Sequence, residues 1–257
     1  MTPLPFTALA TDYDGTLARH GEATFSTRAA LQRFRAAGGV PLLVTGREIP
    51  DLQRVFDGMD LFDLIVAENG ALLYWPATGR ELLLGPAPEP QFIRELQSRG
   101  VTPLSIGRVI VATSEPHELD AADLIRELGL DRQVILNKGS VMVLPTGVDK
   151  ATGLAAALDE VNLPASTVVG VGDAENDFPM LQYCGVGAAV QNAIPSLKAS
   201  ADLVLTRSHG AGVEELLERM LDGTIASVAR RDRSALTALR ARGQAPAARE
   251  SHGSPLD

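Results

Sequence analysis

The run Ala8-Leu9-Ala10-Thr11-Asp12-Tyr13-Asp14-Gly15-Thr16-Leu17 decides how this chain folds. Its apolar beginning reads as a buried strand, and it breaks into two aspartates spaced i, i+2 and then a glycine. In a parallel α/β sheet, ligands sit at the carboxyl ends of strands. Alternation along an extended chain points Asp12 and Asp14 to one side and Tyr13 to the other. Gly15 supplies the backbone freedom to leave the sheet sharply. Two carboxylates at one strand end can share a metal ion, or divide nucleophilic and acid/base duties. A calcium loop would need a third oxygen ligand before the glycine and a glutamate at its twelfth position, and neither is present. A solvated Asp/Gly turn is the other reading that this stretch alone leaves open.

The totals narrow the field. With 257 residues, 45% hydrophobic and 21% charged, the chain can bury the core of one large or two modest globular domains. Its net charge of −9 argues against nucleic-acid binding through a basic surface. An anionic substrate therefore needs a local positive centre, a metal or a lysine. Cys184 is the single cysteine, so an internal disulfide is ruled out and a reducing compartment fits. It sits beside the apolar run 185–190 and reads as an inert buried thiol. No apolar stretch reaches transmembrane length and no basic-then-apolar leader opens the chain, so a cytoplasmic protein without membrane contact is expected.

Outward from the first strand, helix and strand patterns alternate. A helix over 26–37, capped by Ser26, precedes the strand Val40–Val44, which ends in Thr45-Gly46-Arg47. A helix over 49–57 precedes the strand Leu64–Ala67, which ends in Glu68-Asn69-Gly70. Such repetition predicts an α/β fold with a doubly wound parallel sheet. The pattern then changes: 71–75 and 81–84 form a hairpin, and Gly85-Pro86-Ala87-Pro88-Glu89-Pro90 a hinge. Residues 91–146 read as an α+β insert, with helices over 91–99 and 117–128 and strands over 101–106, 108–113, 132–136 and 140–145. Alternation resumes with a helix over 149–160, a strand 167–171, a helix 175–183, a strand 186–190, a helix 194–200, a strand 203–205 and a helix 211–222. The expected division is a discontinuous core of residues 1–85 and 147–225, an α+β cap of 86–146, and a tail of 226–257. That tail carries Arg230, Arg231, Arg233, Arg240, Arg242 and Arg249, and reads as a short helix over 226–242 followed by disorder.

Gly170-Val171-Gly172-Asp173-Ala174-Glu175-Asn176-Asp177 repeats the first signal: a strand ends in glycine and aspartate, with another acid one helical turn on. If the sheet sets this strand beside the first, Asp12, Asp14, Asp173 and Asp177 converge. Four carboxylates in a small volume need a compensating cation, and hard oxygen ligands on a partly hydrated site favour Mg²⁺. Thr45, Gly46 and Arg47 offer a hydroxyl and backbone amides that can hold phosphate oxygens. Lys150, opening a helix, can bring an ammonium to a bound anion. Competing motifs are missing: there is no Gly-x-Ser-x-Gly elbow, no glycine-rich P-loop before Lys150, and no third glycine at dinucleotide spacing. The four histidines lack metal-ligand spacing.

Taken in order, 12–17, 45–47, Lys150 and 172–177 resemble the four motifs of the haloacid dehalogenase superfamily. The insert, with Glu68-Asn69-Gly70-Ala71, resembles the Cof-type branch with an α+β cap, which includes phosphoglycolate, sucrose-phosphate and mannosyl-phosphoglycerate phosphatases. The likeness spans about residues 6–222, and Ala174 departs from a glycine found in many members. It implies an aspartyl-phosphate on Asp12, acid/base work by Asp14, and Mg²⁺ held by Asp12, the Asp14 carbonyl, Asp173 and Asp177. It also implies that Thr45, Gly46 and Lys150 steady the phosphoryl oxygens, with Asn176 nearby. A Mg²⁺-dependent phosphatase acting on a small phosphorylated metabolite is expected. A phosphomutase, or a module that kept the fold without turnover, are the alternatives. The turn Asn137-Lys138-Gly139-Ser140 reads as a plain hairpin turn before it reads as a leaving-group contact; Arg47 and Glu68 are further candidates for that contact.

Overall fold

Strand β1 (Ala8–Thr11) is wholly buried at the middle of the larger of two sheets in the computed structural model, which describes residues 4–228. It is followed by α1 (Phe25–Ala36), β2 (Val40–Val44), α2 (Ile49–Val55) and β3 (Leu64–Ala67), and then by the hairpin of β4 (Leu72–Trp75) and β5 (Arg80–Leu83). The next segment holds α3 (Pro90–Ser98), β6 (Ser105–Ile106), β7 (Val111–Ser114), α4 (Glu118–Glu127), β8 (Arg132–Asn137) and β9 (Ser140–Pro145). The chain then returns through α5 (Lys150–Glu160), β10 (Val168–Gly172), α6 (Phe178–Tyr183), β11 (Val186–Ala189), α7 (Pro195–Ser200), β12 (Leu203–Val204) and α8 (His209–Leu221).

The large sheet has the order β12-β11-β10-β1-β2-β3-β4-β5, parallel from β12 to β3 and antiparallel across β3, β4 and β5. From β1 the chain first winds one way through β2 and β3, then the other way through β10 to β12. That reversal opens a crevice above the carboxyl ends of β1 and β10. The register makes those ends level: Thr11 pairs with Val171 on one side and with Leu43 on the other. Pro41, lacking an N–H, is tolerated in a central strand because β3 starts only at Leu64, opposite Leu42.

The second sheet, β6-β7-β9-β8, is antiparallel throughout. Its cluster of Phe92, Leu96, Val101, Val111, Ala121, Leu124, Val141 and Val143 is separate from the large sheet's core.

Several expected boundaries shift for local reasons. Thr24, not Ser26, caps α1, its hydroxyl accepting from Thr27 N at 3.2 Å. The expected helix over 175–183 is a single 3₁₀ turn, Glu175–Asp177, followed by α6, whose first turn holds Pro179. The strands expected over 101–106 and 108–113 shorten to Ser105–Ile106 and Val111–Ser114. Pro103 has no amide to give, and the amides of Arg108, Val109 and Ile110 go to the Glu68 carboxylate at 2.8, 2.8 and 2.9 Å. Glu68 is thus a buried tie between the two sheets, not the substrate contact considered from sequence. Glu68→Gln, with one carbonyl oxygen for three amides, is expected to lower stability by about 1–3 kcal/mol in urea unfolding. An unchanged midpoint and slope would show that the tie contributes nothing. The tail helix expected over 226–242 falls almost entirely outside the described residues.

A candidate active site above β1, β2 and β10

Beyond Thr11 the chain carries Asp12 over the sheet edge, and beyond Gly172 the neighbouring strand carries Asp173 to the same level. Asp177 rises from the 3₁₀ turn one residue before α6 and is itself wholly buried. One carboxylate oxygen each from Asp12, Asp173 and Asp177 lie within 4.8 Å of one another. Three carboxylates converge, not the four anticipated. Asp14 lines the same cleft, but its carboxylate is turned to Arg47, which donates from Nε at 2.6 Å and from Nη2 at 2.8 Å. Tyr13 points away into the core, its ring 5.2 Å from that of Phe56, as strand alternation required.

Gly15 makes the close approach possible. Its φ is +85°, and a Cβ there would lie 2.2 Å from Asp173 Oδ2, inside the acidic cluster itself. Thr16 Oγ1 donates to Asp173 Oδ1 at 3.2 Å. Asn192, beyond the end of β11, donates to Gly15 O at 2.8 Å and so holds the turn from the other side.

Lys150 opens α5 because Asp149 caps it, accepting from Ala151 N and Thr152 N at 2.8 Å each in a capping box. The Lys150 side chain is 1% exposed, and its ammonium donates to Asp12 Oδ1 and Asp177 Oδ1, both at 2.6 Å. Asp177 Oδ2 accepts from Asp173 N and Ala174 N at 2.9 and 3.0 Å. Asp177 therefore organises the cluster with both its oxygens. The remaining predicted residues gather nearby. Thr45 is buried and its hydroxyl accepts from Arg47 N at 3.1 Å. Gly46, Arg47 and Asn176 line the cleft, and Asn176 Nδ2 donates to Asn69 Oδ1 at 2.9 Å.

The cleft is about 360 Å³. Its far wall comes from the second sheet and includes Lys138, whose ammonium is hydrogen-bonded to Asp173 Oδ2. The sequence signal at Lys138 is the polar turn 137–140, for which a plain hairpin turn is the better reading from sequence. Asn192 had a signal too, since β11, like β1 and β10, runs out into polar residues.

Burial pushes the Asp12 carboxyl up to about 7, with Lys150 opposing the shift and the neighbouring Asp177 and Asp173 reinforcing it. Burial also raises Asp173, against the pull of Lys138. Burial alone would lower Lys150, but Asp12 and Asp177 outweigh it and hold the ammonium above the ordinary lysine value. Three desolvated carboxylates, and the space that Gly15 leaves over Asp173, form an all-oxygen donor set of the kind a hard divalent cation takes. Such a cation binds the deprotonated acids. Below about pH 7 it must displace the Asp12 proton, so its affinity is expected to rise with pH up to neutrality and then level off. Calorimetric Mg²⁺ titrations at pH 6 and 8, each in two buffers of different ionisation enthalpy, should show proton release at pH 6 only. Equal affinity with no proton release at both pH values would contradict the shift.

A sequence model of haloacid dehalogenase-like hydrolases matches residues 9–84 and 113–217. Phosphoglycolate phosphatase 2 of Saccharolobus solfataricus is 29% identical over 84% of this chain and 92% of its own length. The phosphoglycolate phosphatase of Pyrobaculum aerophilum is 31% identical over 84% of this chain and 96% of its own. Among solved structures, a haloacid dehalogenase-like hydrolase from Bacteroides thetaiotaomicron superposes with a TM-score of 0.73 at 18% identity, covering 84% of this chain and 99% of the other. The sucrose-phosphatase of Synechocystis, solved with sucrose and phosphate, gives 0.64 at 19% identity, covering 83% and 97%.

Proposed function

This chain belongs to the haloacid dehalogenase-like hydrolase family, and from that premise we propose that it is a Mg²⁺-dependent phosphatase that hydrolyses a small phosphorylated metabolite through an aspartyl-phosphate. The observation that supports this most is the meeting of Asp12, Asp173, Asp177 and Lys150 above adjacent strand ends. The relatives' names point to a phosphoglycolate-like ester, and the sucrose-phosphatase fold likeness keeps a sugar phosphate in view.

Each residue has a chemical task in this reading. An oxygen of Asp12 attacks phosphorus as the bond to the leaving oxygen breaks, and Asp14 gives that oxygen its proton. Water then attacks the phosphorus with Asp14 taking its proton, which releases inorganic phosphate and restores the Asp12 carboxylate. For this, Asp14 must slip the Arg47 fork that holds it in the described state. Lys150 fixes the Asp12 carboxylate from behind and offsets charge on the phosphoryl oxygens. The Gly46 amide and Asn176 orient those oxygens from the cleft wall, which Arg47 shares, and the buried Thr45 hydroxyl, which accepts from the Arg47 amide, supports them from below the surface. Asp12, the Asp14 carbonyl, Asp173 and Asp177 would hold Mg²⁺, which would supply electrostatic stabilisation of the transferring phosphoryl group. Residues 86–146 serve as a cap that shields the site from bulk water. No helix among the described residues is long and apolar enough to cross a membrane, and a cytoplasmic setting suits the single buried Cys184.

A panel of phosphorylated metabolites, assayed for phosphate release with Mg²⁺, tests the proposal. Activity should vanish with EDTA and return with added Mg²⁺. Full turnover in excess EDTA would refute the metal's part, and isomerised sugar phosphate without net phosphate release would indicate a phosphomutase.

A further inference from the structure

The two residues between β8 and β9 are Lys138 and Gly139, with φ of +47° and +81°, and the strands close on the pair Asn137–Ser140. Positive φ at both central positions is the mark of a type I′ hairpin turn, where Asn, Asp or Gly is the usual first residue. A lysine gains nothing from that conformation, and strained backbone of this kind persists where a side chain has a task. This lysine reaches across to the large sheet: its ammonium rests on Asp173 Oδ2 while the side chain stays 45% exposed. Of the cleft residues contributed by the second sheet (Ala112, Asn137, Lys138, Ser140 and Met142), it alone is charged.

We propose that Lys138 is a specificity-determining residue that pairs with a carboxylate on the leaving group, so that the preferred substrate is a small alkyl phosphate bearing a second anionic group. This rests on the phosphatase reading above and deepens it. The other cations of the site are already committed. Lys150 lies behind Asp12 and Asp177, and Arg47 is forked onto Asp14 and bonded to Asp51 as well. The oxygen that Lys138 occupies belongs to one of the three carboxylates suited to a divalent cation. A dication there competes with the ammonium for Asp173 and repels it. The hairpin still anchors the lysine in the wall of the cleft that Asp12 also lines, within which a leaving group must lie. A neutral leaving group would leave that ammonium unpaired inside a partly enclosed cleft; a carboxylate satisfies it.

The experiment compares 2-phosphoglycolate with ethyl phosphate, which has a methyl group in place of the carboxylate, on the full chain with saturating Mg²⁺. Taking the ratio of kcat/KM for the two esters cancels any effect of a substitution on the metal or on the chemistry they share. Lys138→Asn places a turn-favoured residue at the same φ, so a melting temperature at or above that of the wild type is expected. The ratio should fall by about tenfold to a hundredfold, the range for one charge-assisted pair, mostly through KM. Lys138→Arg should recover a large part of it. Wild-type turnover with a ratio unaltered in Lys138→Asn would overturn the assignment of Lys138 and leave the phosphatase reading standing. Phosphate release from neither ester, nor from any other phosphomonoester, would overturn both.

Discussion

Asp12→Asn is expected to reduce phosphate release by on the order of 10⁴-fold or more while the protein stays folded. An amide oxygen is too poor a nucleophile to displace an alcohol from phosphorus, and no neighbouring carboxylate can stand in. Asp173 and Asp177 are pinned by Thr16, Lys138, Lys150 and backbone amides. Asp14 faces Arg47. The fold should survive because the Asp12 charge is held at a disadvantage. Its carboxyl titrates near 7, so burial and the adjacent acids outweigh the attraction of Lys150. A carboxyl with a raised folded-state pKa weakens the fold as pH climbs from the ordinary carboxylate range through about 7. A neutral amide of the same shape escapes that penalty, and above neutrality the variant should unfold at no lower urea concentration than the wild type. Residual activity within tenfold of wild type would remove Asp12 from the nucleophile's role. Inactivity with a collapsed fold would mark it as structural instead.

What the sequence disclosed and what it hid divide along physical lines. Buried parallel strands announce themselves as apolar runs, and their carboxyl ends as abrupt polar residues, so Asp12, Thr45 and Asp173 stand out at strand ends once the strands are taken together. The pairing of β1 with β10 is a contact between residues about 160 apart, and only the repetition of the strand-glycine-aspartate signal pointed to it. Hidden were interactions in which one side chain reaches a partner distant in sequence. Glu68 is a candidate leaving-group contact from sequence, yet it has a positive φ and its carboxylate accepts from the amides of 108–110. Asp14 looked like a fourth member of the acidic cluster, and the Arg47 fork takes it out. Lys138 belongs to a hairpin whose position over the cleft no periodicity encodes. In each case a tertiary partner, not a local preference, sets where the side chain goes.

Removing the ammonium at the centre of the cluster should have the largest effect on stability. Lys150→Met keeps most of the side chain's volume but leaves Asp12 and Asp177, which now share its ammonium at 2.6 Å each, facing one another without compensation. Breaking a buried ion pair by deleting one partner typically costs about 3–5 kcal/mol. The loss here should depend on pH. Asp12 already titrates near 7 with Lys150 beside it, and without that positive charge its pKa must rise further. Below neutrality Asp12 keeps its proton with or without Lys150; at higher pH the variant must either hold that proton against the solvent or ionise beside Asp177 without the ammonium, and both cost stability. Urea unfolding of the variant should therefore show a modest deficit at pH 6 and a severe one at pH 8.5. Millimolar Mg²⁺ should restore part of the stability at the higher pH, since a cation bound only by the folded state shifts the equilibrium toward it. A deficit equal at both pH values and indifferent to Mg²⁺ would mean that Lys150 acts through packing alone, and that the three carboxylates are not one electrostatic unit.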